Sequence, residues 1–142
     1  MISLLATVGT MPSISVLRRC LLAASLLALP GCGQKLYHEN TVQLGAGEVQ
    51  LLLIDAPKSE QKVSVTVSSA GSPVDVYVVA EKDKEAAKEA VLDGKKPSAS
   101  LAGKVKVQDA TLEVTIPANT AFAILLGGAS KSSTVKVKVT GH

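Results

Sequence analysis

Two stretches of strict two-residue alternation constrain this chain more than anything else in it. "KVSVTVSS" (Lys62–Ser69) puts Val63, Val65 and Val67 on one side and Ser64, Thr66 and Ser68 on the other, and "VKVKVT" (Val135–Thr140) sets three valines against Lys136 and Lys138. A helix would scatter these valines around its axis, whereas a strand collects them on one face. The β-branched side chains suit that pleated conformation. Other segments read the same way. Thr41–Leu44 is a short extended piece closed by Gly45-Ala46-Gly47, and Thr111–Ile116 turns Leu112, Val114 and Ile116 inward. Val74–Ala80 splits into Val74/Val76/Val78 and Asp75/Tyr77/Val79, with Gly71-Ser72-Pro73 as the turn before it. Hydrophobic residues make up 46% of the chain but aromatics only 2%, so the core has to be built from Val, Leu, Ile and Ala.

Two runs are apolar without interruption: "LLLI" within Val49–Ile54, and "AFAILL" at Ala121–Leu126, which lies between the Pro117-Ala118-Asn119 turn and Gly127-Gly128. Such runs predict strands covered on both faces, hence central in a sheet. The Lys/Val strands, Lys104–Gln108 and Val135–Thr140, are expected at the rim, where lysine hinders edge-to-edge association. One segment departs from the β pattern. Lys82–Leu92 is rich in Ala, Glu and Lys, carries a narrow stripe of Ala86, Ala87, Ala90 and Val91, and is followed by Gly94 and Pro97. It predicts a short surface helix inserted between strands. With 142 residues there is room for one domain. The expected fold is all-β: an antiparallel, jelly-roll-like β-sandwich of seven or eight strands with that one helix, preceded by a helical signal peptide.

The amino-terminal segment has a different logic. Arg18-Arg19 precede the apolar run Cys20–Leu29, which is too short for the ~20 residues of a membrane span but matches the core of a secretory signal. The run ends Leu29-Pro30-Gly31-Cys32, an aliphatic, a variable, a small residue and then cysteine. This resembles the bacterial lipoprotein box. The resemblance implies cleavage between Gly31 and Cys32, diacylglycerylation of the Cys32 thiol and acylation (palmitate-type) of the new amine. It also implies an extracytoplasmic protein whose partner is the membrane, held by that anchor. The expected organisation is a signal peptide over 1–31, lipidated cysteine and tether over 32–40, and the sandwich over 41–142. Met1 and Met11 both stand as starts; beginning at Met11 gives the more compact signal layout.

The order of features along "VSVTVSSAGSPVDVYVV" (Val63–Val79), "LEVTIPANTAFAILLGG" (Leu112–Gly128) and the closing "VKVKVTG" is similar to pre-peptidase C-terminal domains and related small jelly-roll modules, and the overall layout resembles short planctomycete-type lipoproteins. The likeness spans about Thr41 to Gly141 and implies a non-catalytic accessory module.

Little in the residues argues for chemistry. Removing the signal takes Arg18 and Arg19 from the fifteen basic residues, leaving thirteen lysines against twelve acids, and there is no Trp. Neither the charge nor the aromatic platform of a nucleic-acid binder is present. No HExxH, GxSxG, CxxC or phosphate-loop pattern occurs. His38, in the expected tether, and His142, the last residue, stand as solvated histidines rather than catalytic ones. For calcium the carboxylates to consider are Asp55, Asp75, Asp93 and Asp109; they are separated in sequence, and Asp75 reads as a solvent-facing strand residue. No catalytic residue, metal ligand or cofactor is therefore assigned, and Cys32 is the one modified site. The expected role is a structural or interaction module of the envelope, with binding of a carbohydrate or peptide as the alternative.

Overall fold

A computed structural model describes residues 35–142. The signal peptide, Gly31 and Cys32 lie outside the described residues. Eight strands form: β1 (Tyr37–Leu44), β2 (Gln50–Ile54), β3 (Gln61–Ala70), β4 (Val74–Ala80), β5 (Ser100–Val107), β6 (Asp109–Ile116), β7 (Phe122–Gly127) and β8 (Ser133–Gly141). Between β4 and β5 a 3₁₀ turn (Glu81–Asp83) leads into helix α1 (Lys84–Leu92). The strands pair antiparallel in two four-stranded sheets, β1-β8-β3-β6 and β2-β7-β4-β5. All connections but β4–β5 cross from one sheet to the other, which is the eight-stranded jelly-roll layout. The all-β sandwich expected from the alternation is what forms.

Valines from the two sheets meet in the middle. Val63, Val65 and Val67 of β3 and Val135, Val137 and Val139 of β8 face Val74, Val76 and Val78 of β4 in one buried cluster with Phe122, Ile124 and Leu126. Full burial of one such side chain is worth about 1.5–3 kcal/mol. A second, smaller core lies on the outer side of the second sheet. There Tyr77, Val79, Ala123 and Leu125 are covered by Ala87 and Val91 of α1. The helix sits low on the sheet because Gly127 has no side chain: a Cβ there would come within 2.6 Å of Val91 Cγ1. Its end is closed by a Schellman arrangement, with Lys95 N–H donating to the Ala90 carbonyl at 2.8 Å and Gly94 N–H to that of Val91 at 3.0 Å. Gly94 supplies the required positive φ of 71°.

Four expectations need correction. "LLLI" is not central. β2 is an edge strand with Leu53 53% exposed, because the α1 cluster reaches only as far as half-buried Leu51. The Lys/Val strand β8 is not at the rim but between β1 and β3; Lys136 and Lys138 point from a central strand because the outer face of this sheet is solvated. The expected tether is shorter, since residues 37–40 already pair with β8, from Tyr37↔Thr140 to Asn40↔Val137. β5 does lie at an edge, as expected for Lys104 and Lys106, and its register with β4 shifts twice. Asp75 is not merely solvent-facing. Its Oδ1 accepts the Lys106 N–H at 2.8 Å where Lys106 takes a φ of 52°, so it braces one of those irregularities.

The two leucine strands should separate cleanly on mutation. Leu125→Ala empties a fully buried site in the core beneath α1 and should cost about 2–5 kcal/mol in denaturant unfolding, whereas Leu53→Ala at the exposed edge should stay within about 0.5 kcal/mol of the parent.

Candidate functional site

The one exposed aromatic ring, Tyr37, stands among charged side chains where β1 begins. Alternation along β1 turns Tyr37 and Glu39 outward, and the register with β8 places them beside Thr140 and Lys138, with Lys136 one step diagonal. The Tyr37 hydroxyl donates to Glu39 Oε2 at 2.8 Å, and Lys136 Nζ meets Glu39 Oε1 at 2.8 Å. The Lys138 ammonium lies 5.7 Å from the centre of the Tyr37 ring, within cation–π range. Tyr37 is 63% exposed, while the other two aromatics of the chain, Tyr77 and Phe122, are buried in the two cores.

The electrostatics follow from these contacts. Hydrogen bonds from Lys136 and then from Tyr37 hold the Glu39 carboxyl below its ordinary range, with the Lys136 charge adding to them. The hydrogen bond to Glu39, and then its charge, raise both Lys136 and the Tyr37 phenol. Tyr77 is raised too, by burial first and by the Asp75 charge second. Because the Glu39 value is depressed, its contribution to stability is present above the ordinary carboxylate range and fades as pH falls through the lowered value. The Tyr37 contribution has the opposite sign: it is present below the ordinary phenol value of 10.0 and fades as pH rises through the raised one. Both groups face solvent, which screens these effects.

Beside Tyr37 a cavity of about 520 Å³ opens between the entry to β1 and the β2–β3 loop, lined by Lys35, Leu36, Asp55, Pro57, Lys58 and Gln61 among others. Its walls are pinned. Gln61 is buried and its Oε1 accepts the Leu36 N–H at 3.2 Å; the Leu36 carbonyl accepts the Gly141 N–H at 2.7 Å. The Pro57 carbonyl accepts the Asn119 N–H at 2.7 Å, tying the β2–β3 and β6–β7 loops together.

The residues weighed from the sequence are dispersed. Asp55 lines this cavity, Asp75 braces β5, Asp109 accepts the Ser68 hydroxyl at 2.7 Å, and Asp93 follows α1 with its carboxylate 3.9 Å from Lys95. Among the described residues no three His, Cys, Asp or Glu side chains converge on one point. The histidines are more firmly held than expected. His38 belongs to β1, opposite Val139, and His142 donates its N–H to the Lys62 carbonyl at 2.8 Å while its Nε2 lies 3.1 Å from Ser64 Oγ. That Ser–His pair stands on an exposed sheet face, and among the described residues no carboxylate bonds the imidazole to complete a triad. The Tyr37–Glu39–Lys136 group was missed from sequence. Its one local signal is the two-residue spacing of Tyr37 and Glu39, which aligns them only once residues 37–40 are known to be strand.

No protein-family model matches the chain, and no curated protein matches it. Among solved structures it is similar to the Yersinia pseudotuberculosis-derived mitogen, at 6% identity over 78% of this chain and 88% of that one, with a TM-score of 0.49.

Glu39→Gln should bring the phenol of Tyr37 back toward its ordinary value and leave Tyr77 raised. An alkaline titration followed by phenolate absorbance should then show two separated transitions, with the lower one moved down relative to the parent protein.

Proposed function

We propose that this chain is a lipid-anchored, non-catalytic lipoprotein of the bacterial cell envelope, held on the extracytoplasmic side through acyl chains on Cys32. Its sandwich serves as a structural or interaction module. The observation that carries this reading is the order of Arg18-Arg19, the apolar run Cys20–Leu29 and Leu29-Pro30-Gly31-Cys32. Cysteine at that position supplies a nucleophilic sulfur able to form a stable thioether. Each buried methylene contributes roughly 0.8 kcal/mol, so one chain holds weakly and two or three hold firmly. The domain that follows has no cysteine of its own and relies on apolar burial instead.

A second reading, capture of a carbohydrate or a peptide, draws on one specific feature: an exposed tyrosine next to a cavity with lysine and carboxylate groups at its wall. A ring of this kind stacks on sugar faces or apolar side chains. A saturable ligand in a glycan array, lost in Tyr37→Ala, would favour it.

The anchor is tested directly on the native product. Mass spectrometry should find Cys32 as the first residue, carrying diacylglycerol and an amide-linked acyl chain. Cys32→Ser should move the protein from the membrane fraction to the soluble one. An unmodified thiol at Cys32 in the parent protein would overturn the proposal.

A further inference from the structure

We infer that the end of the sandwich bearing Lys35, Tyr37 and Lys58 rests against the anionic headgroups of the bilayer, with the opposite loops held outward. This rests on the lipid-anchor reading and adds to it an orientation and a contact surface. The first argument is reach. Leu36 is fixed to the body by its bonds to Gln61 and Gly141. Four residue steps separate it from Cys32, at most about 3.6 Å each, so an anchor there lies within about 14 Å of the pinned chain. The nine residues of β8 span about 30 Å at roughly 3.3 Å per residue. A linker that short keeps the Leu36 end next to the bilayer and cannot invert the domain so that the far end alone touches it. The loops around Gly71–Pro73 and Gly128–Ser132 lie at that far end, and what favours an upright placement over one on its side is the chemistry of the near end.

The second argument is chemical complementarity. The cavity at the anchored end has two lysines against one carboxylate, Asp55. Lys35 and Lys58 are exposed, and among the described residues neither makes an ion pair. Phosphate headgroups attract such ammonium groups within a Debye length. Tyr37, with an apolar ring and a polar tip, suits the interface between headgroups and acyl chains. The groove at the far end, lined by Gly71, Ser72, Pro73, Ser130, Lys131 and Ser132, has no aromatic and one lysine.

The chain has no Trp, so a single introduced indole reports one position without background. Full-length Tyr37→Trp and Ser130→Trp proteins, both altered at exposed sites, are purified with their lipid from membranes and checked for the parent circular dichroism. They are then reconstituted into phosphatidylglycerol/phosphatidylethanolamine vesicles containing a lipid with brominated acyl chains. The expected result is flotation of both proteins with vesicles, loss of indole emission in Tyr37→Trp and undiminished emission in Ser130→Trp. Adding Lys35→Glu and Lys58→Glu to Tyr37→Trp should restore emission while flotation persists. Flotation with the Tyr37→Trp protein unquenched, or with the Ser130→Trp protein quenched as strongly, overturns the orientation and leaves the anchor standing. Quenching unchanged by the two charge reversals overturns the headgroup contact. Failure to float, with an unmodified Cys32 thiol, overturns the anchor and the orientation with it.

Discussion

Strand β7 has no polar face. All six residues from Phe122 to Gly127 are buried, so water has to be excluded from both sides of one strand. The inner side is covered by the valines of the first sheet, and the outer side can be covered only by something laid across the second sheet. Helix α1 meets that need, and its place in the chain follows. The β4–β5 link is the one connection that stays within the second sheet, so an insertion there falls directly over β4 and β7. The same demand explains the small residues under the helix: Ala123 and Gly127 let Ala87 and Val91 approach closely enough to exclude water. Alternation therefore breaks in β4, where Tyr77 and Val79 point at the helix instead of at solvent.

How much of this was legible depends on the distance over which each feature is decided. The two faces of β3, β4 and β6 are local matters, and valine spacing alone assigns them. Neighbour order is not local. An apolar run such as "LLLI" reports that a strand is greasy and says nothing of which strand lies beside it. Leu51 is half-covered because α1 reaches that far, and Leu53, two residues on, is left exposed. The lysines of β8 mislead in the opposite sense. They look like guards of an edge but belong to the solvated outer face of a central strand, where Lys136 is joined to Glu39. An antiparallel sheet with one wet face permits lysine at its centre, so lysine marks a face more reliably than it marks an edge.

The start of β1 shows the same limit at the candidate site. His38, Glu39 and Asn40 are ordinary tether residues by composition, and their propensity for strand is poor. Pairing overrides it. The carboxy-terminal strand offers a ladder from Ser133 to Thr140, and β1 fills it from Leu44 back to Tyr37. Once that register is set, Tyr37, Glu39 and Lys136, separated by about a hundred residues of chain, become one bonded group. No local reading of residues 33–40 contains that information.

That ladder also determines how the domain can transmit a constraint from its amino terminus. The bonds of Leu36 to Gln61 and Gly141, and of His142 to Lys62, join the incoming chain, the β3 start and the outgoing chain at one end of one sheet. Gln61 is the key polar group here: it is buried, and its side-chain oxygen satisfies a backbone donor just ahead of the first strand. A bond of this kind contributes about 0.5–1.5 kcal/mol net, and it helps to hold Leu36 in place. Without the Gln61 bond, Leu36 would keep the one from Gly141 alone. With it, the chain is fixed to the first sheet one residue ahead of β1.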